Sequence, residues 1–204
     1  MTGRIPPVDE TTTEDAAARA ALAAIAKTWG GPWNVARVMA TSPPLLEAFH
    51  AFWKGLQRTS LARRDREVID LVMAYVNGCH YCVPAHTLLA REAGFSDAEI
   101  ADMLAGRPLP DAREAALQRL VVRLVQTKGR LRDDEIAEFA AAGIDRRQMV
   151  EVVGEIAHCT LTNTLNRLAD TPLDDFLARL APGGDQQAGT SATQALNSKG
   201  SNGP

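Results

Sequence analysis

Apolar residues recur along this chain at spacings of three and four, and no stretch alternates with period two, so the pattern predicts helices throughout. The first runs from Glu14 to Lys27, Ala-rich and anchored by Leu22 and Ile25, and Trp29-Gly30-Gly31-Pro32-Trp33 breaks it. Asn34 is placed to cap a short helix, Val35 to Ala40. Thr41-Ser42-Pro43-Pro44 is a start signal for a helix over Leu45–Leu56, with Leu46, Phe49, Phe52, Trp53 and Leu56 on one side. Two central helices follow, roughly Ser60 to Val76 and Cys79 to Gly94, separated by the stop signal Asn77-Gly78. Ser96 and Glu99 form a capping box for a helix to about Ala105, and Asp111 caps another to about Lys128. A short helix spans Leu131 to Ala142, and Asp145 caps a long one to about Leu168. Gly154 inside that last helix would weaken it in isolation, which points to close packing against a neighbour. Thr171 to Leu180 adds a final partial turn or short helix.

The expected architecture is therefore a single all-α domain, residues 14–180, built as a helical bundle of antiparallel pairs. Residues 1–13, polar with two prolines, read as a flexible arm. Residues 181–204, rich in Gly, Ser and Gln, read as a disordered tail without a site.

Composition narrows the function classes. The chain is 46% hydrophobic and 5% aromatic, which suits helices better than strands. A net charge of -3 without a basic block gives no nucleic-acid footprint. No apolar run is long enough to span a bilayer, and the polar N-terminus is no secretory signal, so a cytoplasmic location is expected. In a reducing compartment a Cys-x-x-Cys pair points to redox or metal chemistry rather than a structural disulfide.

That pair lies in the stretch around which the chain is organised, Glu67 to His86, EVIDLVMAYVNGCHYCVPAH. On one helix Cys79, Cys82 and His86 are related by steps of three and four and share a face. A start at Cys79 puts both cysteines in the first turn, where unpaired N–H groups and the helix dipole favour a thiolate, and Pro84 is harmless. Glu67 sits among apolar neighbours on the preceding helix, where a carboxylate needs a partner. His86 supplies one if the two helices pack antiparallel. Glu67 then orients the imidazole, and the imidazole takes the thiol proton.

Other chemistries compete for these residues. Zinc would find three ligands in Cys79, Cys82 and His86 and a fourth in Glu67 or Cys159, but no second ligand pair exists, and no metal is expected. A c-type haem is excluded because Val83 follows Cys82, and no strand–helix–strand context supports a thioredoxin-like site. His50 reads as a partly exposed surface histidine, Cys159 as a core thiol, and His158 as a core or interface residue. Asn163 and Asn166 are placed to hydrogen-bond either to the central pair or across a subunit contact. His80 and Tyr81, between the cysteines, are expected to line substrate access to the sulfurs, with packing the alternative for Tyr81.

Glu67, Cys79-x-x-Cys82 and x-x-x-His86, in that order and spacing, resemble the active-site signature of the alkylhydroperoxidase AhpD-like, carboxymuconolactone decarboxylase superfamily. The resemblance runs from about Pro44 to Leu173 and includes VVGEIAHCTLTNTLNRLADTPLD as a closing helix. It implies that Cys82 is the peroxidatic and Cys79 the resolving cysteine, with Glu67 and His86 as proton relay. Some alkylhydroperoxidases carry a further His just before the second Cys, where this chain has Tyr81. Members that decarboxylate carboxymuconolactone lack the paired cysteines, which disfavours that reaction. The function implied is a thiol-dependent alkyl hydroperoxide reductase. The alternatives are a general dithiol–disulfide oxidoreductase and a non-catalytic helical oligomer that senses oxidants. No nucleotide or flavin motif is present, so no bound cofactor is expected and electrons come from an external dithiol, by resemblance a lipoyl group on a partner protein. The resemblance further implies a homotrimer or an assembly of trimers.

Overall fold

The computed structural model describes residues 3–179. Ten helices follow one another with no strand among the described residues: α1 Ala16–Trp29, α2 Asn34–Met39, α3 Pro43–Leu56, α4 Arg63–Val76, α5 Cys82–Glu92, α6 Asp97–Leu104, α7 Ala112–Thr127, α8 Asp133–Ala141, α9 Arg146–Ala169 and α10 Asp175–Ala178. The all-α bundle that periodicity predicts is the fold observed.

The hub is α4, which packs against α5, α6, α7 and α9. Its apolar residues Val68, Ile69, Leu71, Val72 and Met73 are almost wholly enclosed and join Leu117, Leu120 and Val121 of α7 in the main core. A second core, around Leu22 and Ile25 of α1 and Leu46 and Phe49 of α3, forms an N-terminal layer. α9 closes on both, touching α2, α3, α4, α5 and α7. At Gly154 a Cβ would lie 3.1 Å from Leu56 Cδ2, so the glycine is there for the close approach of α9 to α3, as its mid-helix position suggested.

Three expectations need correction. Residues 3–13 do not hang free. Ile5 N–H donates to Ala169 O, Val8 N–H donates to Arg37 O, and Glu10 pairs with Arg37 at 2.7 Å, so the arm is laid along the domain. His50 is buried, its Nε2 3.0 Å from Thr28 Oγ1 on α1, whereas Phe52 of the supposed apolar face is 41% exposed. The start of α5 is Cys82, not Cys79. Gly78 takes a left-handed turn, and the Gly78 and Cys79 N–H groups donate back to Tyr75 and Ala74, closing α4 with a Schellman motif. The Cys79 amide therefore belongs to the end of the preceding helix. The tail expected over residues 181–204 lies outside the described residues.

Candidate active site

Three helices deliver side chains to one point because each carries polar residues at helical spacing on its inward face. α4 presents Glu67 and Asp70, three apart. α5 presents Cys82 and, one turn on, His86. α9 presents Glu155, His158, Thr162 and Asn166. Together they line one end of a cavity of about 310 Å³ to which four aromatic rings, Trp29, Trp33, Phe49 and Trp53, also contribute. Trp29 stands at the centre of that group, edge-on to Trp33, Phe49 and Trp53 at ring-centroid distances of 6.2, 6.0 and 5.8 Å.

Cys79 and Cys82 are joined in a disulfide. Their surroundings differ. Cys79 is fully enclosed, and its Sγ accepts the Cys82 N–H at 3.1 Å, capping the first turn of α5. Cys82 lines the cavity, and its sulfur lies 3.4 Å from Asn166 Nδ2. Asn163 instead bonds Asn77 at 2.8 Å, so both asparagines of α9 reach across to the central pair.

The pairing of Glu67 with His86 is present, Oε2 to Nδ1 at 3.2 Å. A second carboxylate shares that nitrogen: Asp70 Oδ2 is 3.6 Å away. Burial works against a charged imidazole, but Asp70, then Glu67, outweigh it and push His86 up to about 9. Burial raises Asp70 to about 6, with His86 partly opposing, and raises Glu155 to about 8, with the Asp70 charge adding to the effect. Burial, then the His86 charge, drive His158 down to about 4, so it is a neutral imidazole, stacked on Phe49 at 5.1 Å. His86 is thus an imidazolium at neutral pH. It does not wait to take the thiol proton; it already holds one, beside a sulfur that faces the same cavity.

The remaining expected residues separate. Tyr81 lines the cavity but is buried, its hydroxyl donating to Asp174 Oδ2 at 2.5 Å and accepting the Val35 N–H at 3.4 Å. It ties α5 to the segment before α10. His80 turns away: it is exposed, with Nε2 2.9 Å from Thr171 O, and does not line the cavity, so its expected place at the approach to the sulfurs is corrected. Cys159 is a core thiol as expected, yet its Sγ lies 2.8 Å from Asp70 Oδ1. The zinc set weighed from the sequence, Cys79, Cys82 and His86 with Glu67 or Cys159, does not form while Cys79 and Cys82 are joined to each other. Sequence reasoning missed Asp70 and Glu155. Their signal was spacing: Asp70 is one turn from Glu67, and Glu155 heads the polar stripe 155, 158, 162, 166.

Residues 43–121 match the family model described as Carboxymuconolactone decarboxylase family. A search of curated proteins gives no match. Among solved structures, an uncharacterized peroxidase-related protein from Ralstonia eutropha JMP134, described as an alkylhydroperoxidase AhpD core, superposes with a TM-score of 0.75 at 18% identity, over 87% of this chain and 95% of its own. A peroxidase-related protein from Silicibacter sp. TM1040 gives 0.73 at 16% identity, over 87% and 95%. The debrominase Bmp8 gives 0.70 at 15% identity, over 86% and 95%. Residues 43–121 are thus similar to the carboxymuconolactone decarboxylase family, the chain shares the helical fold of the AhpD-core protein, and Glu67, Cys79, Cys82 and His86 stand at the signature spacing.

Proposed function

We propose that this protein is a thiol-dependent peroxidase that reduces organic hydroperoxides through the Cys79–Cys82 couple. The observation that carries the reading is the asymmetry of the disulfide: Cys82 faces the cavity beside His86 and Glu67, and Cys79 is enclosed behind it. In the reduced protein the Cys82 thiolate is favoured by the His86 imidazolium and by the Asn166 amide. It attacks the distal peroxide oxygen. The O–O bond breaks, Cys82 becomes a sulfenic acid, and the alkoxide leaves as an alcohol with the proton of His86. The Cys79 thiol then condenses with the sulfenic acid, releasing water and forming the disulfide. An external dithiol returns two electrons by exchange. Glu67 and Asp70 hold the His86 ring and keep its proton available.

A second reading has one observation in its favour. The aromatic wall suits a planar ring, and the debrominase Bmp8, whose cysteine-to-alanine variant was solved with 2,3,4-tribromopyrrole, shares the fold. The same couple would then supply two electrons for replacing a ring bromine by hydrogen, releasing bromide.

The test is steady-state consumption of cumene hydroperoxide with dithiothreitol, beside bromide release from a bromopyrrole under the same conditions. Hydroperoxide turnover that disappears in Cys82→Ser supports the peroxidase. Turnover no faster than dithiothreitol alone overturns it, and bromide release without peroxidase turnover selects the second reading.

A further inference from the structure

The inward faces of α4 and α9 hold a cluster of which the peroxidase cycle uses only Asp70, through the oxygen that faces His86. Asp70, His158 and Cys159 are all buried, and each brings one ligand atom, an oxygen, a ring nitrogen and a sulfur, to within 4.8 Å of the others. His158 is 7% exposed, and neither of its ring nitrogens has a hydrogen-bond partner among the described residues. Glu155, one turn before it, is 2% exposed; its Oε2 is 4.0 Å from His158 Nδ1, and its Oε1 is likewise unpartnered. Idle polar atoms in so enclosed a place forgo the hydrogen bonds they had in water, a cost that something must offset.

Charge points the same way. Three carboxylates, Glu67, Asp70 and Glu155, share the charged end of the cavity, with His86 and Arg66 among the cationic side chains near them. Metal binding at such a cluster displaces ligand protons and leaves the Cys159 sulfur and the carboxylates as anionic donors. The donor types narrow the ion. One imidazole, one thiolate and one or two carboxylates suit zinc and its neighbours, whereas calcium and magnesium take oxygen ligands alone.

We propose that Asp70, His158 and Cys159 form a site for a divalent ion of the zinc class, with Glu155 as fourth ligand. The ion would pin α9 to α4 at the floor of the cavity, using an Asp70 oxygen, Oδ1, other than the one that faces His86. The site does not depend on the peroxidase reading, and its test involves neither hydroperoxide nor reductant.

The chain has three cysteines, so with Cys79–Cys82 kept oxidised only Cys159 can supply a thiolate. Metal-stripped, oxidised protein is titrated with cobalt(II) and passed over a desalting column. The expected result is one retained cobalt per chain with a thiolate-to-cobalt charge-transfer band, and displacement of that cobalt by zinc. The band persists in the Cys79→Ser/Cys82→Ser double variant and vanishes in Cys159→Ser, and His158→Ala weakens retention at least tenfold. Circular dichroism checks that each variant is folded. No retained cobalt in the wild-type chain, cobalt retained without the thiolate band, or full retention in folded His158→Ala overturns the proposal. Since the wild-type spectrum can fail by itself, a variant that does not fold leaves the test decisive.

Discussion

The two ends of the cavity are built on opposite principles. The aromatic end draws Trp29, Trp33, Phe49 and Trp53 from the N-terminal layer, where contact is non-directional and a ring can shift at modest cost. The charged end draws Glu67, Asp70, His86, Glu155 and His158 from α4, α5 and α9, where Glu67 and Asp70 hold His86 in a poorly hydrated place. Removing one partner there leaves a buried charge uncompensated, which costs about 3–5 kcal/mol where the pair is fully buried. The aromatic end should therefore govern which molecules bind, and the charged end whether anything happens to them. Much of the aromatic end, Trp29 and Trp33 included, also lies outside the family match at residues 43–121, whereas Glu67, Cys79, Cys82 and His86 lie inside it.

The sharpest way to break this contrast is at the sulfurs. Cys82→Ser should abolish hydroperoxide consumption, while Cys79→Ser should still form one sulfenic acid per chain, trapped by dimedone and read by mass spectrometry. Next comes the relay: Glu67→Gln should lower kcat/KM by about 10²-fold, the low end of what a positioned proton-transfer group contributes, with a smaller change in KM. At the other end, Trp53→Ala should raise KM for cumene hydroperoxide by about tenfold, the worth of a substantial share of one ring's buried surface, and affect kcat less. A loss confined to kcat in Trp53→Ala would contradict the division of labour.

A smaller effect is a slope in stability. His86 has its folded pKa raised to about 9, so its contribution is fully present below pH 6.5 and is lost as pH rises through 9. Glu155, raised to about 8, makes the folded state prefer the protonated acid, so stability also falls as pH rises from about 4.5 to 8. Both act in one direction between pH 6.5 and 8. Metal-free protein kept in chelator should lose melting temperature across that window, and His86→Gln should flatten the fall. A melting temperature that rises from pH 6.5 to 8 would show that the two groups are not held as the geometry implies. Tyr81→Phe, which takes the hydroxyl from Asp174 and Val35 N–H, should lower stability by about 1–3 kcal/mol in urea melts.

Helix order and the Glu67–His86 pairing were legible because both are local: caps and breakers mark the ends, and a short turn brings the inward faces of α4 and α5 together. The misplacements have a common cause. His50 and Phe52 sit two positions apart on α3, and which of them is buried depends on where α1 lies, since Thr28 of α1 receives His50. Cys79 was read into α5 because spacing alone does not say which helix uses its amide; the Schellman bond to Ala74 does. His80 has the composition of a site residue, but only the return of the chain at Thr171 shows that it faces away from the cavity.

By itself the sequence determined an all-helical chain, its segment ends and a dithiol with a carboxylate–imidazole partner, because capping, periodicity and i, i+4 spacing act within one or two turns. Tertiary structure alone decided that Cys82 rather than Cys79 meets the cavity, that Asp70 and Glu155 join the charged end, and that four aromatic rings gather at the other. Those outcomes depend on the rotation of α9 and the N-terminal layer about α4, which is set by long-range packing that no local pattern encodes.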